Sequence, residues 1–103
     1  MVAILSVGTG YAPSVTLNSV TGAEITGAYL DRIAEKEPEI GAYLTVSTDE
    51  AMDNAKKIDE RRAKGEELSP LAGIPVGIKD NMCTKGLRTT CASRMLENFI
   101  PPY

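Results

Sequence analysis

Leu71-Ala-Gly-Ile-Pro-Val-Gly-Ile-Lys79-Asp80-Asn81 decides how the rest of the chain is read. It is a short apolar run, punctuated by Gly73, Pro75 and Gly77, that delivers one cation and one carboxylate at its end. Apolar runs of this length bounded by turn residues predict a buried strand. An ammonium buried there without a partner is so unfavourable that it tends to lose its proton, and a neutral lysine is a base. The stretch is therefore where chemistry is expected. A plainer reading stands beside it. Lys79 is then the first solvated residue after a strand, with Asp80 capping a turn and Asn81 opening a loop, because lysine stems carry their charge to water.

The chain has 103 residues, enough for at most one domain, and its 43% apolar and 24% charged residues describe an ordinary globular composition. A net charge of −3 argues against a dedicated nucleic-acid surface. The uncharged opening, residues 1–23, contains glycines, a proline and hydroxyls, so it predicts neither a membrane span nor a secretory signal, and a cytoplasmic setting is expected. Histidine is absent, which excludes Ser-His-Asp and Cys-His mechanisms within these residues. Cys83 and Cys91 match no common zinc spacing and read as reduced, small packing residues.

Outward from the central run, Val2-Ala-Ile-Leu-Ser-Val7 predicts a strand and Gly8-Thr-Gly10 a turn; Pro13 stands where a dinucleotide loop would need its third glycine. Thr21-Gly-Ala-Glu24 is a capping-box pattern opening a helix, with Ile25, Tyr29 and Ile33 on its inner face and Pro38 closing it. Tyr43 and Leu44 are expected anchors in a short apolar stretch, and Ser47-Thr-Asp-Glu50 repeats the capping pattern. The second helix runs to about Lys64, with Ala51, Ala55 and Ile58 inward. Asp53, Lys56, Lys57, Asp59, Glu60, Arg61 and Arg62 are placed outside, and Gly65 is placed just past the end. Leu87-Arg-Thr-Thr-Cys-Ala-Ser93 is β-prone, and Met95, Leu96, Phe99 and Ile100 form a last apolar cluster. The order strand, helix, helix, strand, strand predicts an α/β fold.

The central run, then Thr84-Lys-Gly-Leu-Arg-Thr-Thr-Cys-Ala-Ser93, then Leu96-Glu-Asn-Phe-Ile-Pro-Pro-Tyr103, together resemble the amidase signature family. Glu24-Ile-Thr, Ala28-Tyr-Leu-Asp-Arg-Ile33 and Ala42-Tyr-Leu-Thr-Val46 extend the likeness, which covers residues 20–103. Within the family, the continuation after Asp80 is most similar to the glutamine-hydrolysing subunits of tRNA-dependent amidotransferases. The resemblance implies the N-terminal fragment of an amidase fold, with helices packed on a mixed sheet. It also implies a Ser–cis-Ser–Lys triad whose lysine is Lys79. Lys79 would draw a proton through the middle serine from the nucleophilic serine, which attacks the carboxamide of glutamine and frees ammonia. A desolvated lysine can lose roughly three to five pKa units, enough for that task, and a hydroxyl nucleophile needs such a base beside it. Implied partners are subunits B and C of the amidotransferase and, through the complex, misacylated Glu-tRNA(Gln) or Asp-tRNA(Asn). ATP and magnesium are implied in the partner subunit, and no cofactor or metal in this chain.

Two departures qualify that likeness. The family's Gly-Ser-Ser-Gly-Gly-Ser segment is not found in these residues, so the chain is expected to be truncated before its serines and inactive alone; Ser69 and Ser93 do not stand in that motif. Residues 1–19 do not resemble the amphipathic opening helix of the family and form an atypical head. Two alternatives stay open: a non-catalytic truncated or chimeric interaction domain, and a piece of another small-molecule amidase. An exposed sheet edge near the Lys79 strand, with a tendency to self-associate, is also expected.

Overall fold

A computed structural model describes Val2–Leu5 and residues 20–103. The turn expected at Gly8 and Gly10 lies outside the described residues. In chain order the elements are β1 (Val2–Leu5), α1 (Gly22–Ile40), β2 (Thr45–Val46), α2 (Thr48–Ala63) and β3 (Pro75–Ile78), followed by a single 3-10 turn, Arg94–Leu96.

Helix α1 begins as its sequence dictates. The Glu24 N–H donates to Thr21 Oγ1 at 3.1 Å and the Thr21 N–H donates to Glu24 Oε2 at 2.8 Å, so both halves of the capping box are made. Bonds from Thr21, its N–H first and its hydroxyl second, hold the Glu24 carboxyl below its ordinary range. The other end differs from expectation. Pro38 lies inside the helix, and the chain turns at Gly41, whose φ of 63° carries its N–H onto Glu37 O at 2.9 Å. Proline removes one donor near the end of a helix that has few bonds left to make, whereas a left-handed glycine ends it outright.

Helix α2 starts at an N-cap Ser47 whose side chain makes no capping bond to the helix, so the second capping box is not formed. Its C-terminus is a complete Schellman motif: Gly65 N–H donates to Arg62 O at 3.0 Å and Glu66 N–H to Arg61 O at 3.1 Å.

The two helices pack on small residues. Ala51 and Ala55 of α2 are buried, with Ala23 and Leu30 of α1 against them. Buried apolar side chains among the described residues are three alanines, Ala51, Ala55 and Ala72, and Pro101. A buried methyl or methylene contributes only about 0.8 kcal/mol, so this core is thin and polar contacts between elements weigh more than usual. The main one is Asp59. Its Oδ1 accepts from Gly22 N–H at 2.7 Å and its Oδ2 from Ala23 N–H at 2.9 Å, so α2 caps the first turn of α1. Arg62 sits beside Asp59 at 3.6 Å and donates to Ala72 O at 3.0 Å. Asp59 and Arg62, placed on the solvated face by their sequence context, are instead half-buried joints. On α1, Ile25 and Ile33 are half-buried as expected, but Tyr29 stands 60% exposed and Thr26 takes the buried position.

Gly22 is where three elements meet. A Cβ there would lie 3.1 Å from Asp59 Oδ1 and 3.4 Å from both Gly73 Cα and Gly73 O, whereas a Cβ on Gly27 would meet nothing within 4 Å. Opposite outcomes are expected from one substitution at two sites. Gly27→Ala should raise stability by roughly 0.8–1 kcal/mol from helix propensity. Gly22→Ala should lower it by about 1 kcal/mol, the overpacking cost exceeding any propensity gain. Urea midpoints moving in the same direction for both would contradict the packing described.

Strand β1 pairs in parallel with β2 (Val2 with Thr45, Ala3 with Val46) and antiparallel with β3 (Val2 with Ile78, Leu5 with Pro75), which leaves β3 at an edge. These strands are two to four residues long. The secondary structure is thus two helices with short strand pairings, and the extended mixed sheet implied by the family likeness is not formed by the described residues. Residues 87–93 form no strand, and Leu96, Phe99, Ile100 and Met95 lie at the surface, Met95 at 94% exposure.

Candidate active site

Lys79 is the first residue beyond β3. Its carbonyl accepts from Met82 N–H at 3.0 Å, which closes the turn Lys79–Met82. Its side chain is exposed, so the burial expected from the apolar run does not hold here. The reason is local. Pro75, Val76 and Ile78 are half-buried and Gly77 is exposed, so the strand that carries Lys79 is itself covered on one side only.

Asp80, in contrast, is buried, with 8% of its surface exposed. Its Oδ1 accepts from Thr90 N–H at 2.9 Å, and its Oδ2 accepts from the Thr90 hydroxyl at 2.5 Å and from Ala92 N–H at 3.3 Å. Its own carbonyl accepts from Cys91 N–H at 2.9 Å. Three consecutive amides of one loop thus converge on one residue. They can do so because Cys91 and Ala92 both adopt left-handed backbone, with φ of 51° and 54°. Non-glycine residues hold that conformation at a cost of about 1–3 kcal/mol each, and only where surrounding contacts impose it. The Thr90 hydroxyl first, then the Thr90 N–H, and to a smaller extent the Ala92 N–H, hold the Asp80 carboxyl below its ordinary range despite its burial.

A carboxyl whose folded pKa is depressed stabilises the fold fully above its unfolded value, about 3.9. That stabilisation is lost as pH falls through the lower folded value. Stability should therefore decline on acidification below about pH 4, with Glu24 and Glu35 contributing in the same direction. Asp80→Asn should flatten the decline, as read from urea midpoints between neutral pH and roughly pH 2.5. An unchanged slope in that variant would remove Asp80 as a source.

Other candidate groups have local tasks. Ser93 Oγ accepts from Met95 N–H at 3.3 Å and Ser69 Oγ from Leu71 N–H at 3.4 Å, so both serve turns. Thr89 and Thr90 are buried. Cys83 and Cys91 are free thiols and exposed, not the packing residues expected. Arg88 donates to Leu44 O at 3.2 Å and to Glu97 O at 3.4 Å, tying the loop after α1 to the C-terminal segment. Leu44 itself is half exposed, so it is no anchor. A groove of about 450 Å³ runs between α1 and the β2–α2 junction, lined by Leu30, Ile33, Ala34, Glu37, Pro38, Val46 and Thr48. Neither Lys79 nor Asp80 reaches it, and Glu37 Oε1 already accepts from Tyr43 N–H at 2.5 Å. Among the described residues no group of three or more acidic, thiol or imidazole side chains is placed to hold a metal ion. No helix among them is long and apolar enough to cross a membrane.

The strand end carrying Lys79, followed at once by the Asp80-centred loop, lies within the stretch, residues 24–103, matched by the sequence model of the Amidase family. The chain belongs to that family. Among curated proteins it is similar to the A subunit of the glutamyl-tRNA(Gln) amidotransferase of Thermosynechococcus vestitus, 58% identical over 83 residues, which cover 81% of this chain and 17% of the relative. The proteins of the same name from Synechococcus sp. (strain JA-3-3Ab) and Natranaerobius thermophilus are each 56% identical over 80 residues, covering 78% of this chain and 16% of theirs. The chain therefore spans about a sixth of the length of these relatives. No solved structure matches it.

Proposed function

We propose that this chain is the base-bearing segment of a glutamine-hydrolysing amidase subunit, and that Lys79 is its catalytic base. The observation that supports this most is the 58% identity to the A subunit of an amidotransferase across the stretch that includes Lys79 and Asp80. In this reading the serines of a Ser–cis-Ser–Lys triad come from sequence beyond residues 24–103, and the same added structure covers the half-buried strand and takes Lys79 out of water. The middle serine passes a proton from the nucleophilic serine to the Lys79 amine. The serine oxygen bonds to the carboxamide carbon of glutamine, the C–N bond breaks, and ammonia leaves with the returned proton. Ammonia then passes to the complex that amidates misacylated Glu-tRNA(Gln), and in the wider reading Asp-tRNA(Asn), with subunits B and C as partners. ATP and magnesium belong to the partner subunit, and the setting is cytoplasmic.

The exposed Lys79 favours a second statement about the 103-residue chain itself. Alone it is non-catalytic, because one member of a triad cannot run the reaction. Incubated with glutamine, the chain should release no ammonia above a buffer blank. Release that disappears with Lys79→Ala would show that the nucleophile is already among these residues.

A further inference from the structure

We propose that Asp80 is a positioning residue for Lys79, fixing through the Thr90–Ala92 loop the direction in which the lysine leaves β3. The assignment rests on reading Lys79 as the base. On its N-terminal side Lys79 is fixed by the pairing of Ile78 with Val2. On its C-terminal side the next residue is held by four bonds from one loop, three to its carboxylate and one to its carbonyl. A solvated turn after a strand needs far less. One side-chain acceptor suffices for such a turn, and it imposes no left-handed conformation on its neighbours. Here two consecutive non-glycine residues, Cys91 and Ala92, are held at positive φ so that their amides point back at Asp80. Strain of that kind persists where the surroundings over-determine it, and it concentrates at functional sites. The loop is anchored in turn. Thr89 N–H donates to Phe99 O at 3.0 Å, which ties the loop to the C-terminal segment, and Ser93 N–H donates to Thr90 O at 2.8 Å, which closes the loop on itself. A base that must meet a hydroxyl within hydrogen-bond reach needs this rigidity, since a misplacement of about 1 Å can cost a hundredfold in rate.

Two measurements decide the matter. In the 103-residue chain, Asp80→Ala and the milder Thr90→Val, which keeps the amide donor, should move the Lys79 backbone and side-chain NMR resonances. Both should also reduce the positive-φ coupling signature at Cys91 and Ala92. Movement confined to residues 90–92, with Lys79 unmoved, would make Asp80 a loop anchor only and overturn the assignment. In a graft that places residues 24–103 into a full-length relative, Asp80→Ala should lower kcat for glutamine hydrolysis roughly a hundredfold. KM should stay within about twofold, and Thr90→Ser should behave as the parent. In a Lys79→Ala background the same substitution should cost nothing further, because two residues acting as one unit are not additive. An equal additional loss there would mean a general structural defect and overturn the positioning role. If Lys79→Ala leaves turnover intact, the base reading fails and this assignment with it. If Lys79→Ala abolishes turnover but Asp80 variants match the parent, only the positioning role fails.

Discussion

Lys79→Ala, made in the same graft, should reduce glutamine hydrolysis by roughly 10²- to 10⁴-fold, the range contributed by a positioned general base. In the 103-residue chain the same substitution should leave stability almost untouched, because Lys79 is exposed there and its truncation leaves no cavity and orphans no buried group. The pair of measurements is informative: activity of the graft falls while the 103-residue chain stays within about 0.5 kcal/mol of its parent, as for surface substitutions. Lys79→Arg should not rescue, because a guanidinium does not give up its proton and cannot serve as a base. Hydrolysis at near-parental rate in either variant would take Lys79 out of the reaction.

The largest effect on folding is expected at Asp59. Its two oxygens take the first two amides of α1, at 2.7 and 2.9 Å, from a side chain 21% exposed. Replacing it with alanine removes a charged cap and leaves both donors without that acceptor. Loss of an N-cap costs about 1–2 kcal/mol, and hydrogen bonds to charged groups contribute about 1.5–3 kcal/mol. Because these costs overlap, Asp59→Ala should destabilise by about 2–3 kcal/mol. At roughly 4–8 °C per kcal/mol for a domain of this size, the melting temperature should fall by roughly 10–20 °C. Asp59→Asn, which keeps one acceptor oxygen, should lose less. A shift below about 0.5 kcal/mol for the alanine variant would place the joint between the helices elsewhere.

These residues also mark the boundary between what sequence carries and what only packing decides. The Thr21–Glu24 box is legible because both partners lie within one helical turn, and Gly65 because the Schellman motif needs only one short stretch of backbone. Asp59 is not, because its partners Gly22 and Ala23 lie 37 and 36 residues away and nothing local distinguishes it from Asp53 or Glu60. Of the inner face expected for α1, Ile25 and Ile33 are half-buried and only Tyr29 is exposed. Periodicity places Tyr29 inside, but the side of α1 packed against α2 carries Ala23 and Leu30, next to the Asp59 cap and the close approach of Gly22 to Gly73. At the candidate site, the apolar run does end in a strand followed by Lys79, while the exposure of that lysine depends on what covers β3. The strand expected over 87–93 does not form because Asp80 captures the amides of Thr90, Cys91 and Ala92 that a β-ladder would have used. No pattern of apolar and polar residues carries that information.

Covalent trapping tests whether these residues contribute the base and not the nucleophile. The graft would be mixed with a glutamine-derived electrophile, quenched, and digested for mass mapping of the adduct. The expected result is a label on a serine outside residues 24–103, formed only while Lys79 is present. A label on Ser69, Thr90 or Ser93, or one that forms equally well with alanine at position 79, would contradict the claim.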